Sequence, residues 1–263
     1  MIVLAGPPGV IAVVLLGALA MADRRAREEF FRSLARSLGY RYATATQMLP
    51  LTPLLGAGDR RRWERAISGP LDREDPALGE CTLCHYTYEV RSERRGDDRN
   101  TTWEPHHFTI CAIDLESSLT RFKGVFLRPR RGLFDRLERD RLSHLRLRRV
   151  HLESLAFNDA YDLEVANEQD DRALRELFAP SLVSWLGAHP LSPNFELRAG
   201  MLVVFLAGHV EEAGKLIWLL DATRHLARRV VDEVDEEQRR PAAHLLRGLP
   251  LERSSSAPSS ALP

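Results

Sequence analysis

The sequence predicts an α+β protein, a mostly antiparallel sheet with packed helices, preceded by one N-terminal transmembrane helix. Three observations carry this expectation. Met1 to Ala22 contains no charged side chain. Between residues 80 and 165, segments rich in Thr, Tyr, Val and Phe alternate with polar turns, as paired strands do. Gly214 to Glu236 repeats apolar residues at helical spacing. With 263 residues, 44% hydrophobic and 28% charged, and a mean hydropathy of −0.26, the chain is neither wholly disordered nor a multi-span membrane protein. Lys+Arg and Asp+Glu both number 37, so no net field attracts nucleic acid over long range, and none is expected as a partner.

Taken in order, residues 1–22 form the expected anchor. Val10 to Met21 is an unbroken apolar helix former, and one bilayer span needs about 20 residues. Pro8 suits a first helical turn. Arg24, Arg25, Arg27 and Arg32 follow the apolar stretch, and the positive-inside rule then places everything after it in the cytoplasm. The lipid bilayer is thus the expected partner of residues 1–22, and the cell membrane the expected location, with a single pass and a cytoplasmic domain. Ala18-Leu19-Ala20 and Ala20-Met21-Ala22 resemble signal cleavage sites, but a signal peptide carries basic residues before its apolar core and this chain carries none there.

Residues 23–62 read as a juxtamembrane helix and linker. Phe30, Phe31, Leu34 and Leu38 share a helical face and Gly39 stops it. Leu49-Pro50, Pro53 and the basic run Arg60 to Arg62 read as loop. The soluble domain is expected over residues 63–240. Trp63 to Leu71 is a strand, and Glu80 to Arg91 with Thr101 to Leu115 make an antiparallel hairpin about the polar turn Ser92 to Asn100. Arg121 to Pro129 is another strand, residues 133–146 a short helix, and Val150 to Phe157 with Tyr161 to Val165 two strands around Asn158-Asp159. Asp170 and Asp171 start a helix whose apolar face, Leu174, Leu177, Phe178, Leu182 and Leu186, Pro180 divides into two pieces. Phe195 to Leu206 folds as a tight hairpin around Ala199-Gly200. The helix from Gly214 ends by Pro241, and residues 241–263, rich in Ser and Pro, are expected to be a disordered tail.

One motif invites chemistry. Cys81-Thr82-Leu83-Cys84-His85 matches C-x-x-C-H, the attachment signature of c-type haem, which makes an exported haem protein the alternative reading. Attachment needs the two cysteines and the histidine on one side of a helix, whereas Tyr86, Thr87, Tyr88 and Val90 favour a strand, where residues three apart face opposite ways. Zinc is the other candidate for this hairpin. If residue 84 pairs with 109, Cys84, His107 and Cys111 share a face; a slip of one residue instead groups Cys81, His85, His107 and Cys111. A structural zinc site normally uses two close ligand pairs, and the chain has one C-x-x-C pair and only three cysteines, so buried strand thiols are the expectation and no metal or cofactor is assigned. No phosphate loop, dinucleotide fingerprint or hydrolase motif is present. Asp114, Asp159, Asp162 and Glu164 lie near strand ends without acid–base spacing, and His144, His151, His209, His225 and His244 are scattered, so no catalytic residue is named.

The stretch Leu155 to Val165 (LAFNDAYDLEV), followed by Asp171, Ala173, Leu177, Phe178, Ala179-Pro180 and Leu182, resembles a segment of uncharacterised bacterial membrane-anchored proteins of unknown function. The resemblance extends more loosely to the N-terminal anchor, the tyrosine-bearing hairpin and Phe122 to Pro129. It implies a single N-terminal transmembrane helix and an α+β soluble domain; it implies no catalytic residue. Read as residues, Phe157, Tyr161, Leu163 and Val165 supply one face of a strand pair that Ala173, Leu177, Phe178, Leu182 and Trp185 cover. With fold signals throughout and no catalytic constellation, the expected function is a membrane-anchored, non-enzymatic interaction or scaffolding module.

Overall fold

A computed structural model of the protein describes residues 8–92, 102–130, 142 and 145–239. The strands are β1 (Arg41–Ala45), β2 (Arg60–Pro70), β3 (Glu80–Ser92), β4 (Thr102–Asp114), β5 (Val125–Pro129), β6 (Leu147–Val150), β7 (Tyr161–Ala166), β8 (Asn194–Arg198) and β9 (Met201–Ala207). Among the described residues they form one nine-stranded sheet in the order β1-β2-β3-β4-β9-β8-β5-β7-β6, antiparallel at every pairing. The helices are α1 (Pro8–Leu38), α2 (Pro53–Gly56), α3 (Leu155–Ala160), α4 (Asp171–Leu177), α5 (Pro180–Ala188) and α6 (Ala213–Arg239). The α+β class and the antiparallel sheet expected from the sequence are what the chain adopts.

Alternation along each strand sorts side chains to two sides. On one face Ile67, Leu83, Cys111, Val125, Leu163, Phe195 and Val204 meet the C-terminal part of α1 and helices α4, α5 and α6 in the larger core. On the other, Cys84, Tyr86, Phe108, Ile110 and Phe205 are covered by α2 and its flanks through Leu54 and Leu55. The Tyr86 hydroxyl donates to the Leu54 carbonyl at 3.0 Å, fixing that cover. Residues 41–57, expected as linker, thus belong to the sheet and its cover, and Arg60 to Arg62, expected as loop, open β2.

The hairpin around Ala199-Gly200 forms as expected, with both residues at positive φ (50° and 77°), the backbone of a two-residue hairpin turn. Pro180 divides α4 from α5, also as expected. The strand expected over Val150 to Phe157 is different. β6 ends at Val150, and Leu155–Ala160 is helix α3, because the Ser154 hydroxyl caps the Phe157 amide and the Asn158 side chain closes the turn by bonding both the amide and the carbonyl of Leu152. The helix expected at 133–146, the turn around 93–100 and the tail at 241–263 lie outside the described residues, save for single positions.

The expected transmembrane helix is not found among the described residues: no helix there is long and apolar enough to cross a membrane. Helix α1 is continuous from Pro8, but its charge-free part ends at Ala22, ahead of Asp23, Arg24 and Arg25. At 1.5 Å per residue that part reaches about 22 Å, against a hydrocarbon core of about 30 Å. Residues 1–7, which complete the expected anchor, lie outside the description.

Candidate functional site

The C-x-x-C-H segment sits within β3, and the β3/β4 register decides between the two groupings left open by the sequence. Cys84 pairs with Ile110 and His85 with Thr109, so Cys81, His85, His107 and Cys111 share the helix-covered face while Cys84 faces the other core. Two thiols on opposite faces do not fit covalent haem attachment. All three cysteines are free and buried. Among the described residues no group of three or more His, Cys, Asp or Glu side chains could hold a metal ion.

The four side chains on that face divide into two clusters. Near one end of the strand the Cys111 thiol bonds Cys81, and the Tyr40 hydroxyl, which donates to the Pro70 carbonyl at 2.7 Å, lies 3.8 Å from the Cys81 sulfur. The bond from Cys111 pulls the Cys81 thiol below its ordinary range, burial pushes Cys111 up, and burial likewise pushes up Cys84 on the far face. Further along, His85 Nε2 donates to the Val210 carbonyl at 3.0 Å, and its Nδ1 accepts from Arg65 at 3.2 Å, an arrangement that requires the neutral ring. His209, which the sequence left as a scattered residue, stacks on His85, and the Thr87 hydroxyl bridges it to His107 at 3.1 and 3.0 Å. Burial lowers His85 to about 3 and His209 to about 4. Both rings are therefore neutral near pH 7, and each has protein partners: this cluster joins α1, the sheet and the β9–α6 connection.

Of the strand-end carboxylates, Asp114 and Asp159 are exposed and the other two face arginines. Asp162 pairs with Arg130 and Arg149, and Glu164 lies 3.6 Å from Arg128. His225 stacks on Trp185, while His144 and His244 lie outside the described residues.

A groove of about 1030 Å³ opens elsewhere, at the β6 end of the sheet. One wall is the chain from Arg148 to Ser154, the other is α4 and α5 through Leu174, Arg175, Val183 and Ser184, and α3 contributes Ala156, Phe157 and Ala160. Its floor is apolar: Phe157, Leu174 and Phe178 are buried, and Phe157 meets Phe178 edge-on with centroids 6.0 Å apart. Local chemistry fixes the walls. Asp170 caps α4 through the Ala173 amide at 2.7 Å, and Arg148 ties β6 to α4 by bonding the Gln169 carbonyl at 2.9 Å and the Asp171 carboxylate. Cationic side chains outnumber acidic ones at the rim, with Arg148, Arg149 and Arg175 against Glu153 and Asp171; Arg175 is exposed and makes no ion pair among the described residues. Among the polar residues of this rim the sequence reading named His151, as a scattered histidine, and Asp171, as a helix start, and it assigned Phe157, Phe178 and their neighbours to the core. The missed signal was two-sided: α4 and α5 cover the edge of the sheet with their apolar face but leave β6 itself uncovered.

Compared with protein families, curated proteins and solved structures, the chain has no match.

Proposed function

We propose that this protein is a non-enzymatic interaction module, tethered to the membrane by a single N-terminal pass, with its α+β domain on the cytoplasmic side and its binding surface in the groove between β6 and helices α3, α4 and α5. The observation that carries the reading is the groove itself: an apolar floor with a few polar groups at its rim is the ordinary form of a binding site. The charge-free Met1 to Ala22 followed by four arginines supports the tether and its orientation. Supporting a binding role over catalysis, the polar groups of the hairpin, His85, Thr87, His107 and Cys81, spend their bonds on Arg65, Val210, His209 and Tyr40 or on one another.

The test is site-specific photo-crosslinking in cells, with the photoreactive residue at Ser184 in the groove or at exposed Glu236 on α6 as a control. A discrete adduct at Ser184 in the membrane fraction, absent at Glu236, is the expected result. No adduct at Ser184, or the chain wholly in the soluble fraction after carbonate extraction, would contradict the reading.

A further inference from the structure

The groove runs along the free edge of the sheet. Among the described residues β6 is the last strand and pairs with β7 only. The Asn167 amide donates to the Arg146 carbonyl, directly ahead of the pairs Leu147↔Ala166, Arg148↔Val165, Arg149↔Glu164 and Val150↔Leu163. In an antiparallel ladder bonded and non-bonded pairs alternate, so Arg148 and Val150 spend their backbone groups on β7, while those of Arg149 point outward. The other side of β7 agrees: the Arg130 amide donates to the Ala160 carbonyl, which by the same alternation assigns Asp162 and Glu164 to β5 and leaves Leu163 and Val165 for β6. Every residue from Arg148 to Ser154 lines the groove. Neighbours on a strand face opposite sides, so a cavity touched by Arg148, Arg149 and Val150 alike meets the strand at its backbone edge.

From this we infer that the groove takes an extended peptide segment of a partner protein, which adds to β6 as a tenth strand. Backbone bonds to Arg149 hold it, apolar side chains at alternate positions enter the floor over Phe157 and Phe178, and an acidic side chain faces Arg175. Charge decides that last feature. Arg148 and Arg149 already have Asp171 and Asp162, whereas Arg175 on the helix wall makes no ion pair among the described residues, and the rim's unpaired acid, Glu153, belongs to the opposite wall. The inference rests on the reading of the groove as an interaction surface, and names the occupant and its mode.

The decisive pair of variants is Arg149→Pro and Arg149→Ala. Both lose the ion pair to Asp162, but only proline removes the outward N–H, and at an edge position facing away from β7 it leaves the ladder intact. The probes are fluorescein-labelled ten-residue peptides with Val at alternate positions and a central Glu or Lys, read by fluorescence anisotropy against the full-length chain. The Glu peptide is expected to bind more tightly than the Lys peptide, with the order reversed in Arg175→Glu. Arg149→Pro should weaken binding about tenfold, the equivalent of one backbone bond, while Arg149→Ala stays within about threefold of the parent. Equal binding by the two Arg149 variants would overturn strand addition. So would failure of both peptides where dodecanoate binds, or a dimer that Arg149→Pro dissociates, since the occupant would then be an amphiphile or a second copy. A groove adduct at Ser184 with unbound peptides would overturn this inference and leave the interaction reading standing; loss of both would remove the reading itself.

Discussion

The rings of His85 and His209 stack face to face, with centroids 4.3 Å apart and planes 2° from parallel. His85 comes from β3 and His209 from the turn after β9, so the stack ties the connection to α6 onto the sheet. Phe31 of α1 packs edge-on against the same His85 at 4.8 Å. Three segments far apart in sequence therefore meet at one neutral imidazole.

That neutrality makes stability depend on acid. Burial depresses His85 to about 3 and His209 to about 4, whereas in the unfolded chain a histidine titrates near 6.5. Between those values the unfolded state binds more protons, so the contribution of the stack is complete above about pH 6.5 and is lost as pH falls through the folded values. Melting temperatures are expected to be flat in this respect from pH 8 to 7 and to fall below about pH 6. In His85→Gln, where the amide can still accept from Arg65 and donate to Val210, the acid slope should be shallower. Equal slopes in the two proteins would refute the assignment.

The cysteines are expected to be inert in the native state. Cys81, Cys84 and Cys111 are at most 1% exposed, and a thiol reacts as an accessible thiolate. Titration with Ellman's reagent should find no fast thiol before denaturation and three after it. Rapid native reaction at Cys81, the one thiol whose environment lowers its pKa, would show that the strand opens there.

Arg121 is the ion whose loss should cost most. It reaches Glu176 on α4 and Glu233 and Glu237 on α6; its own side chain is 7% exposed and that of Glu233 only 2%. Removing Arg121 leaves buried Glu233 with Arg229 alone, at 2.5 Å, and Glu176 with Arg172, so Arg121→Ala is expected to lose about 1–3 kcal/mol in urea denaturation. Replacing Arg121 and Glu233 together by Met should recover most of that loss, because the buried carboxylate is gone and Arg229, part-exposed, keeps the Leu177 and Glu176 carbonyls. A double variant no more stable than the single one would assign the effect to packing.

Gly69 is fixed by the ring of Tyr40. A Cβ at Gly69 would lie 2.4 Å from the Tyr40 ring, which the hydroxyl bond to the Pro70 carbonyl holds in place. Gly69→Ala is expected to cost about 1–3 kcal/mol by overpacking, with Tyr40→Ala relieving part of the penalty in the double variant. Additive losses would mean that the ring moves aside freely.

Periodicity made most of the fold legible, and turn chemistry much of the rest. The β3/β4 hairpin, the Ala199-Gly200 turn, the break at Pro180 and α6 all follow from local patterns. Local pattern misled where side-chain bonds overrode it: Val150 to Phe157 reads as strand and Asn158-Asp159 as a turn, yet Ser154 and Asn158 close a helical turn over Leu155–Ala160. The hairpin register was open to a one-residue slip, and only pairing with β2 and β9 across the sheet selects the face that holds His85. His209 was invisible as a partner because more than a hundred residues separate it from Thr87. The groove was the least legible feature. Its residues are the ones a sequence assigns to the core, and what distinguishes Phe157 and Phe178 is that the sheet edge beside them has, among the described residues, no strand to its outer side.

The central claim is that function resides at the β6 groove and not at the C-x-x-C-H hairpin. Crosslinking from Ser184 in cells tests it most directly, with the hairpin altered in one protein by Cys81→Ser and Cys84→Ala and the groove blocked in another by Ala156→Trp, after both are shown to fold by their melting curves. The adduct should survive the cysteine substitutions and disappear when the groove is filled. Loss of the adduct in the cysteine variant with retention in Ala156→Trp would contradict the claim and return attention to the hairpin.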